Sequence, residues 1–163
     1  MAAAPLRQPV VAYVGLGANL GDAAGAIDDA IDRIAGLPGT AISARSSLYR
    51  SAPVGATGPD YTNAVVEVRT TLAAPEFLSR LQRIEQGAGR TRPYPNAPRT
   101  LDLDLLLYGS ASMQSKHLTL PHPRIRERAF VLLPLAEIAP QLVSADALAS
   151  MAPQVIARLP LPG

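Results

Sequence analysis

Asp102 and Asp104 stand one residue apart in the stretch APRTLDLDLLLYG, residues 97–109. Extended backbone alternates its side chains, so Leu101, Leu103, Leu105 and Leu107 should face one side and the two carboxylates the other. Their Cα atoms would then lie about 7 Å apart. Like charges held that close on a largely buried strand repel and resist desolvation, so they require cations, water or protonation. Magnesium suits them, because it takes one or two protein carboxylates and completes its shell with water and phosphate oxygens. Alone, an Asp-x-Asp pair more often marks the solvated face of an edge strand, since so short a motif recurs by chance.

The surroundings alter that balance. Arg90, Arg92 and Arg99 lie in the glycine- and proline-bearing segment leading into the aspartates. Guanidinium groups bind phosphate in a bidentate manner. Carboxylates for a metal beside arginines for phosphate are the equipment of phosphoryl-type transfer, in which positioning and charge neutralisation do most of the work. The competing reading is ordinary surface charge. Farther on, LPHPRIRERAF brings together His122, Arg124, Arg126 and Arg128, which suit either a triphosphate or a solvated basic face. Tyr61 and Asn63, in PDYTNAVVEV, share a strand face by alternation. A ring to stack on and an amide to pair with would suit a flat heterocycle.

With 163 residues the chain fits one domain with a real core, read as a disordered tail over residues 1–9 and a single domain over 10–163. The formal net charge of +2 suits an anionic ligand but lacks the dense basic runs of a dedicated nucleic-acid binder. Lys116 is the only lysine, so arginine supplies nearly all the positive charge, largely as a compositional bias shared with the abundant Ala and Pro. The absence of cysteine excludes disulfides, thiolate metal sites and a thiol nucleophile. MAAAPLRQP does not resemble a signal peptide and no apolar run reaches membrane-spanning length. A soluble, cytoplasmic, monomeric protein acting on small molecules, with neither membrane nor nucleic acid as partner, is the expectation.

The elements that must position these residues follow from periodicity. VVAYVGLG, residues 10–17, reads as a buried strand ended by glycines. Ile27, Ile31 and Ile34 recur at helical spacing and predict a helix over 22–35, with Asp22 near its start. Strands are expected over 40–51 and 61–72. Pro75 near a first turn, followed by the Phe77, Leu78, Leu81, Ile84 stripe, marks a second helix over 74–89 before the two-aspartate strand. The tail from His122 onward reads as mostly helical, interrupted by Pro134, Pro140 and Pro153. Strand, helix, strand, strand, helix, strand is the order of an α+β, ferredoxin-like antiparallel sheet with helices packed on it, here with a C-terminal helical extension. GLGANLGD invites a dinucleotide-binding reading, but its G-x-G-x-x-x-G spacing is loose and no parallel βαβ units follow, so a tight turn is the better assignment.

Taken together, YVGLGANLGD, SSLYRSAPVG, PDYTNAVVEV, RIEQGAGR, APRTLDLDLLLYG and LTLPHPRIRERAFVLLPLAEIAP resemble the 6-hydroxymethyl-7,8-dihydropterin pyrophosphokinase family, in the family's order. The resemblance implies a ferredoxin-like fold. It also implies transfer of pyrophosphate from ATP to the pterin hydroxymethyl group, with release of AMP, in folate biosynthesis. Asp102 and Asp104 match the magnesium-binding aspartates, implying Mg2+, two ions with ATP. Arg90 and Arg99 match arginines that hold the ATP phosphates, and Arg92 matches a catalytic loop arginine. Glu85, His122 and Arg128 match further nucleotide-side residues, and Leu105 and Thr119 fall where the family contacts adenine. Tyr61, Asn63 and Phe130 match the pterin pocket, with Ser51 and Val54 on the segment whose backbone lines it. The family's lid tryptophan has no counterpart, since the chain contains no Trp, and Tyr94 is the residue that could replace part of it. Two rivals stand beside this reading: a ferredoxin-like RNA-binding module, disfavoured by the 4% aromatic content, and a nicotinamide-dependent reductase, which would need the glycine turn to bind pyrophosphate.

Overall fold

The computed structural model describes residues 8–19, 22–51, 60–88, 101–116, 118–123, 129–151 and 156–159. In chain order the elements are β1 (Val10–Ala18), α1 (Ala23–Ala35), β2 (Thr40–Arg45), β3 (Tyr49–Ser51), β4 (Tyr61–Thr70), α2 (Ala74–Ala88), β5 (Asp102–Tyr108), β6 (Met113–Gln114), β7 (Thr119–Leu120), α3 (Ala129–Ile138), α4 (Ala145–Ser150) and β8 (Ile156–Arg158). The main sheet runs β5-β1-β4-β3-β8, with β2 also paired to β4, and its pairs are antiparallel. With β2 and β3 counted as one interrupted strand, this is the ferredoxin-like order expected from the sequence.

That interruption corrects the single strand anticipated over residues 40–51 and has a local cause. The Ser46 amide still donates to the Val65 carbonyl at 2.9 Å, but the Val65 amide donates to Ser46 Oγ, also at 2.9 Å. A side-chain hydroxyl has replaced a ladder carbonyl, which satisfies the buried amide while letting the strand break.

Helices α1 and α2 cover one face of the sheet. The Asp22 carboxylate caps α1 by accepting from the Gly25 amide at 2.9 Å, and the helix ends before Pro38 and Gly39. Ile27, Ile31 and Ile34 of α1 and Phe77, Leu81 and Ile84 of α2 pack against Val14, Leu16, Val66, Val68, Leu103 and Leu105. Each such side chain contributes about 1.5–3 kcal/mol by leaving water. On the opposite face α3 and the residue after it bring Val131, Leu135 and Ala139 against Tyr13, Val65 and Leu106. Pro134 lies inside α3 without ending it, and the tail returns to the sheet as β8, so the extension is not wholly helical.

Two further expectations are revised. β1 runs one residue past the expected strand, so the tight turn anticipated over GLGANLGD does not begin at Gly15; Gly15 and Gly17 are paired members of the strand. Leu107 does not share a face with Leu101, Leu103 and Leu105. The register shifts from Val14 opposite Leu105 to Tyr13 opposite Leu107, leaving Leu106 as an extra residue, and both Leu106 and Leu107 join the α3 cluster. Such a bulge reverses the alternation beyond it.

Helix α3 is tied to β3 by a polar knot. Glu137 accepts from the Ser47 amide at 3.0 Å, the Ser47 hydroxyl at 2.8 Å and the Tyr49 hydroxyl at 2.8 Å, and Arg158 of β8 reaches it at 3.2 Å. Burial pushes the Tyr49 hydroxyl up to about 12, reinforced by its bond to Glu137. Burial also pushes the Glu137 carboxyl up, but the bonds from Tyr49 and Ser47, with the Arg158 charge, outweigh it and hold the group below its ordinary 4.5. Around and below pH 4.5 the folded protein therefore binds fewer protons on Glu137 than the unfolded chain does. This contribution is fully present above about 4.5 and is lost as pH falls through the folded value. Glu137→Gln is expected to cost about 1–3 kcal/mol at neutral pH. Melting curves across pH should show the gap from the wild type closing as pH falls below 4.5. A gap independent of pH would contradict this linkage.

Candidate active site

β5 is the outer strand of the sheet, and its register fixes what stands beside each carboxylate. Asp102 lies opposite Gly17 and Asp104 opposite Gly15. Continuing across β1, Gly17 lies opposite Asn63 and Gly15 opposite Val65. Directly opposed residues point the same way, so two rows cross the sheet, Asn63–Gly17–Asp102 and Val65–Gly15–Asp104. The two aspartates do share a face, as alternation requires, and both are half-buried.

The glycines hollow that face. Neither has a backbone conformation that demands glycine, since the positive-φ glycines are Gly39 and Gly109 among the described residues. What they supply is space, as glycine within a strand does where a ligand approaches closely. A Cβ on Gly17 would come within 3.2 Å of Asn63 Oδ1, whereas one on Gly15 would meet Leu106 at an ordinary 3.5 Å. Two strand spacings separate Asn63 from Asp102, about 10 Å between backbones. A flat bicycle with a one-carbon arm spans such a distance. Gly15 and Gly17 were missed as site residues because the run was read as a turn; their i, i+2 spacing inside an apolar strand was the available signal.

At the Asn63 end of the Asn63–Gly17–Asp102 row the polar groups are buried. Asn63 is 4% exposed and Ser51, opposite Tyr61 on β3, is 7% exposed. The Asn63 amide donates through Nδ2 to Ser51 Oγ at 2.7 Å. Tyr61 is half-buried beside them. Phe130 stands at the start of α3, packed against the cluster that holds Val65 and Leu106. Just past the end of β1, Asn19 Oδ1 is buried with no hydrogen-bond partner among the described residues.

Along the outer edge of β5, Glu85 of α2 accepts from the Leu103 amide at 2.8 Å, gripping the strand between the two aspartates. The His122 amide donates to the Leu106 carbonyl at 2.9 Å, which brings the segment after β7, with Thr119, to the same edge. The Leu105 side chain is 3% exposed in the core, so its backbone is the part that can meet a ligand. Arg90, Arg92, Tyr94, Arg99, Val54, Arg124, Arg126 and Arg128, and most of the 1–9 tail, lie outside the described residues.

Chemically, this is a glycine-floored sheet face with paired carboxylates at one end and a buried amide at the other. No helix among the described residues is long and apolar enough to cross a membrane. Comparison with known proteins points the same way. Residues 13–140 match the family model described as 7,8-dihydro-6-hydroxymethylpterin-pyrophosphokinase (HPPK). A Synechocystis protein named 2-amino-4-hydroxy-6-hydroxymethyldihydropteridine pyrophosphokinase is 46% identical over 132 residues, covering 81% of this chain and 68% of that one. A protein of the same name from Methylorubrum extorquens is 43% identical over 154 residues, covering 91% and 98%. Among solved structures, a Plasmodium falciparum HPPK-DHPS shares the fold with a TM-score of 0.67 at 13% identity, over 85% of this chain and 41% of that longer one.

Proposed function

The chain belongs to the 7,8-dihydro-6-hydroxymethylpterin-pyrophosphokinase family, and from that premise we propose that the glycine-floored sheet face is where the family's reaction takes place. The reaction is pyrophosphoryl transfer in folate biosynthesis, from ATP to the hydroxyl of 6-hydroxymethyl-7,8-dihydropterin, with AMP released. The RNA-binding alternative finds no support. One observation carries the reading of the site: Asp102 and Asp104 project from the same face as buried Asn63, with only Gly17 between Asn63 and Asp102 in their row.

The donor set fits a metal that arrives with the nucleotide. Among the described residues no group of three or more His, Cys, Asp or Glu side chains converges to form a closed cage. A hard cation sharing its shell with phosphate oxygens and water needs only one or two carboxylates, so Asp102 and Asp104 suffice for Mg2+. When bound, Mg2+ supplies neutralisation of phosphate charge and lowers the cost of exposing phosphorus to a hydroxyl.

The chain's own residues do the rest. Asn63 presents an acceptor to the heterocycle, while Tyr61 and Phe130 flank its faces and residues 51–54 line its edge. Ser51 and Val54 enter through that segment. Arg90 and Arg99 hold phosphates, and Arg92 meets the charge that moves as the bond to AMP breaks. Thr119, His122, Arg128 and the Leu105 backbone receive the nucleotide. Glu85 holds the β5 backbone between the two carboxylates through the Leu103 amide. This division of labour is supported by the register of β1, β4 and β5 and by the family's motifs. Binding of Mn2+ with a non-hydrolysable ATP analogue tests the metal assignment. Asp104→Asn should weaken Mn2+ binding about tenfold or more, as loss of one ionised ligand does. Unchanged Mn2+ affinity would remove Asp104 from the metal site.

A further inference from the structure

We infer that the Ser51 hydroxyl is a specificity-setting positioning group: it holds the Asn63 amide with its carbonyl oxygen toward the open sheet face, so that the site selects rings offering an N–H donor there. The inference rests on the proposed function and deepens it. An amide side chain has a donor end and an acceptor end of nearly equal shape, and recognition depends on which end faces the ligand. Asn63 Nδ2 donates to Ser51 Oγ at 2.7 Å and approaches the Tyr61 carbonyl at 3.5 Å. A hydroxyl could serve either end, but a carbonyl only accepts, so the pair together require the NH2 group on that side.

The other end is then committed. Asn63 Oδ1 lies toward Gly17, within 3.2 Å of the position a Cβ would take there, and no described residue donates to it. Asn63 as a residue is 4% exposed, and Oδ1 is the polar end of its side chain left for a ligand. A ring that presents an amino group or ring N–H satisfies it. One that presents only a carbonyl or bare ring nitrogen leaves it unpaired, which sites built for a hydrogen bond reject strongly.

Ser51 is well placed for the task. It is opposite Tyr61 in the β3–β4 register, and β3 is in turn anchored through Tyr49 to Glu137. The Tyr61 carbonyl selects the amide end and the short bond to Ser51 holds it; without the hydroxyl only the longer 3.5 Å contact would remain.

Ser51→Thr and Ser51→Val separate the hydroxyl from the bulk, because the two replacements differ by a hydroxyl against a methyl and both suit a strand. The measurement is equilibrium binding of 6-hydroxymethyl-7,8-dihydropterin with Mg2+ and a non-hydrolysable ATP analogue, with binding of the analogue alone alongside. Thr should stay within about twofold of the wild type, while Val should weaken the pterin about tenfold or more and leave the nucleotide unchanged. Equal pterin affinity in the two variants, or a Val variant that loses nucleotide in step with pterin, would overturn the inference. A wild type that binds no pterin would overturn the proposed function and the inference with it.

Discussion

Asp102→Asn should lower kcat about a thousand-fold or more in a protein that still folds. The rate loss follows from charge: removing a carboxylate that draws Mg2+ and triphosphate into register costs about 4 kcal/mol of transition-state stabilisation, the scale seen for preorganised electrostatic groups. Asp102 and Asp104 are half-buried on one face of β5. A solvated strand face would not yield this loss. Steady-state kinetics beside thermal melts would decide it, and a variant with wild-type kcat would remove Asp102 from the reaction.

Gly17→Val should cut kcat/KM for the pterin about a hundred-fold or more in a protein that still folds. The backbone of Gly17 lies outside the positive-φ region, and valine suits a strand better than glycine does. The obstacle is the site itself: a Cβ at 3.2 Å from Asn63 Oδ1 displaces the acceptor, and the branched methyls fill the floor between Asn63 and Asp102. Overpacking of this kind costs about 1–3 kcal/mol, which the sheet can bear. Gly15→Ala is the control, since its added carbon meets Leu106 at an ordinary 3.5 Å. Comparable kinetic losses in the two variants would show that the hollow at Gly17 has no special part in binding.

Much of this was legible in the residues. Alternation put both aspartates on one face, helical spacing of Ile27, Ile31 and Ile34 located α1, and the βαββαβ order announced the sheet. The bulge at Leu106 was not legible, because leucine fills positions 105–107 and a uniform apolar run hides a reversal of faces. The break before β3 depends on one hydroxyl, Ser46 Oγ, replacing a carbonyl, which composition does not signal. β8 is three residues long and gains its place only by pairing with β3. The glycine floor was read as a turn because glycine in a loop and glycine under a ligand look alike until the strand's partners are known. Ser51 was associated with the pocket through its backbone, while the structure gives its side chain to Asn63.

The most direct measurement is the identity of the nucleotide released when the protein meets ATP, Mg2+ and 6-hydroxymethyl-7,8-dihydropterin, with pterin-free and EDTA controls. The account predicts AMP, in amounts matching the pterin consumed and absent from both controls. ADP as the product, or AMP formed equally without pterin, would contradict pyrophosphoryl transfer at this site.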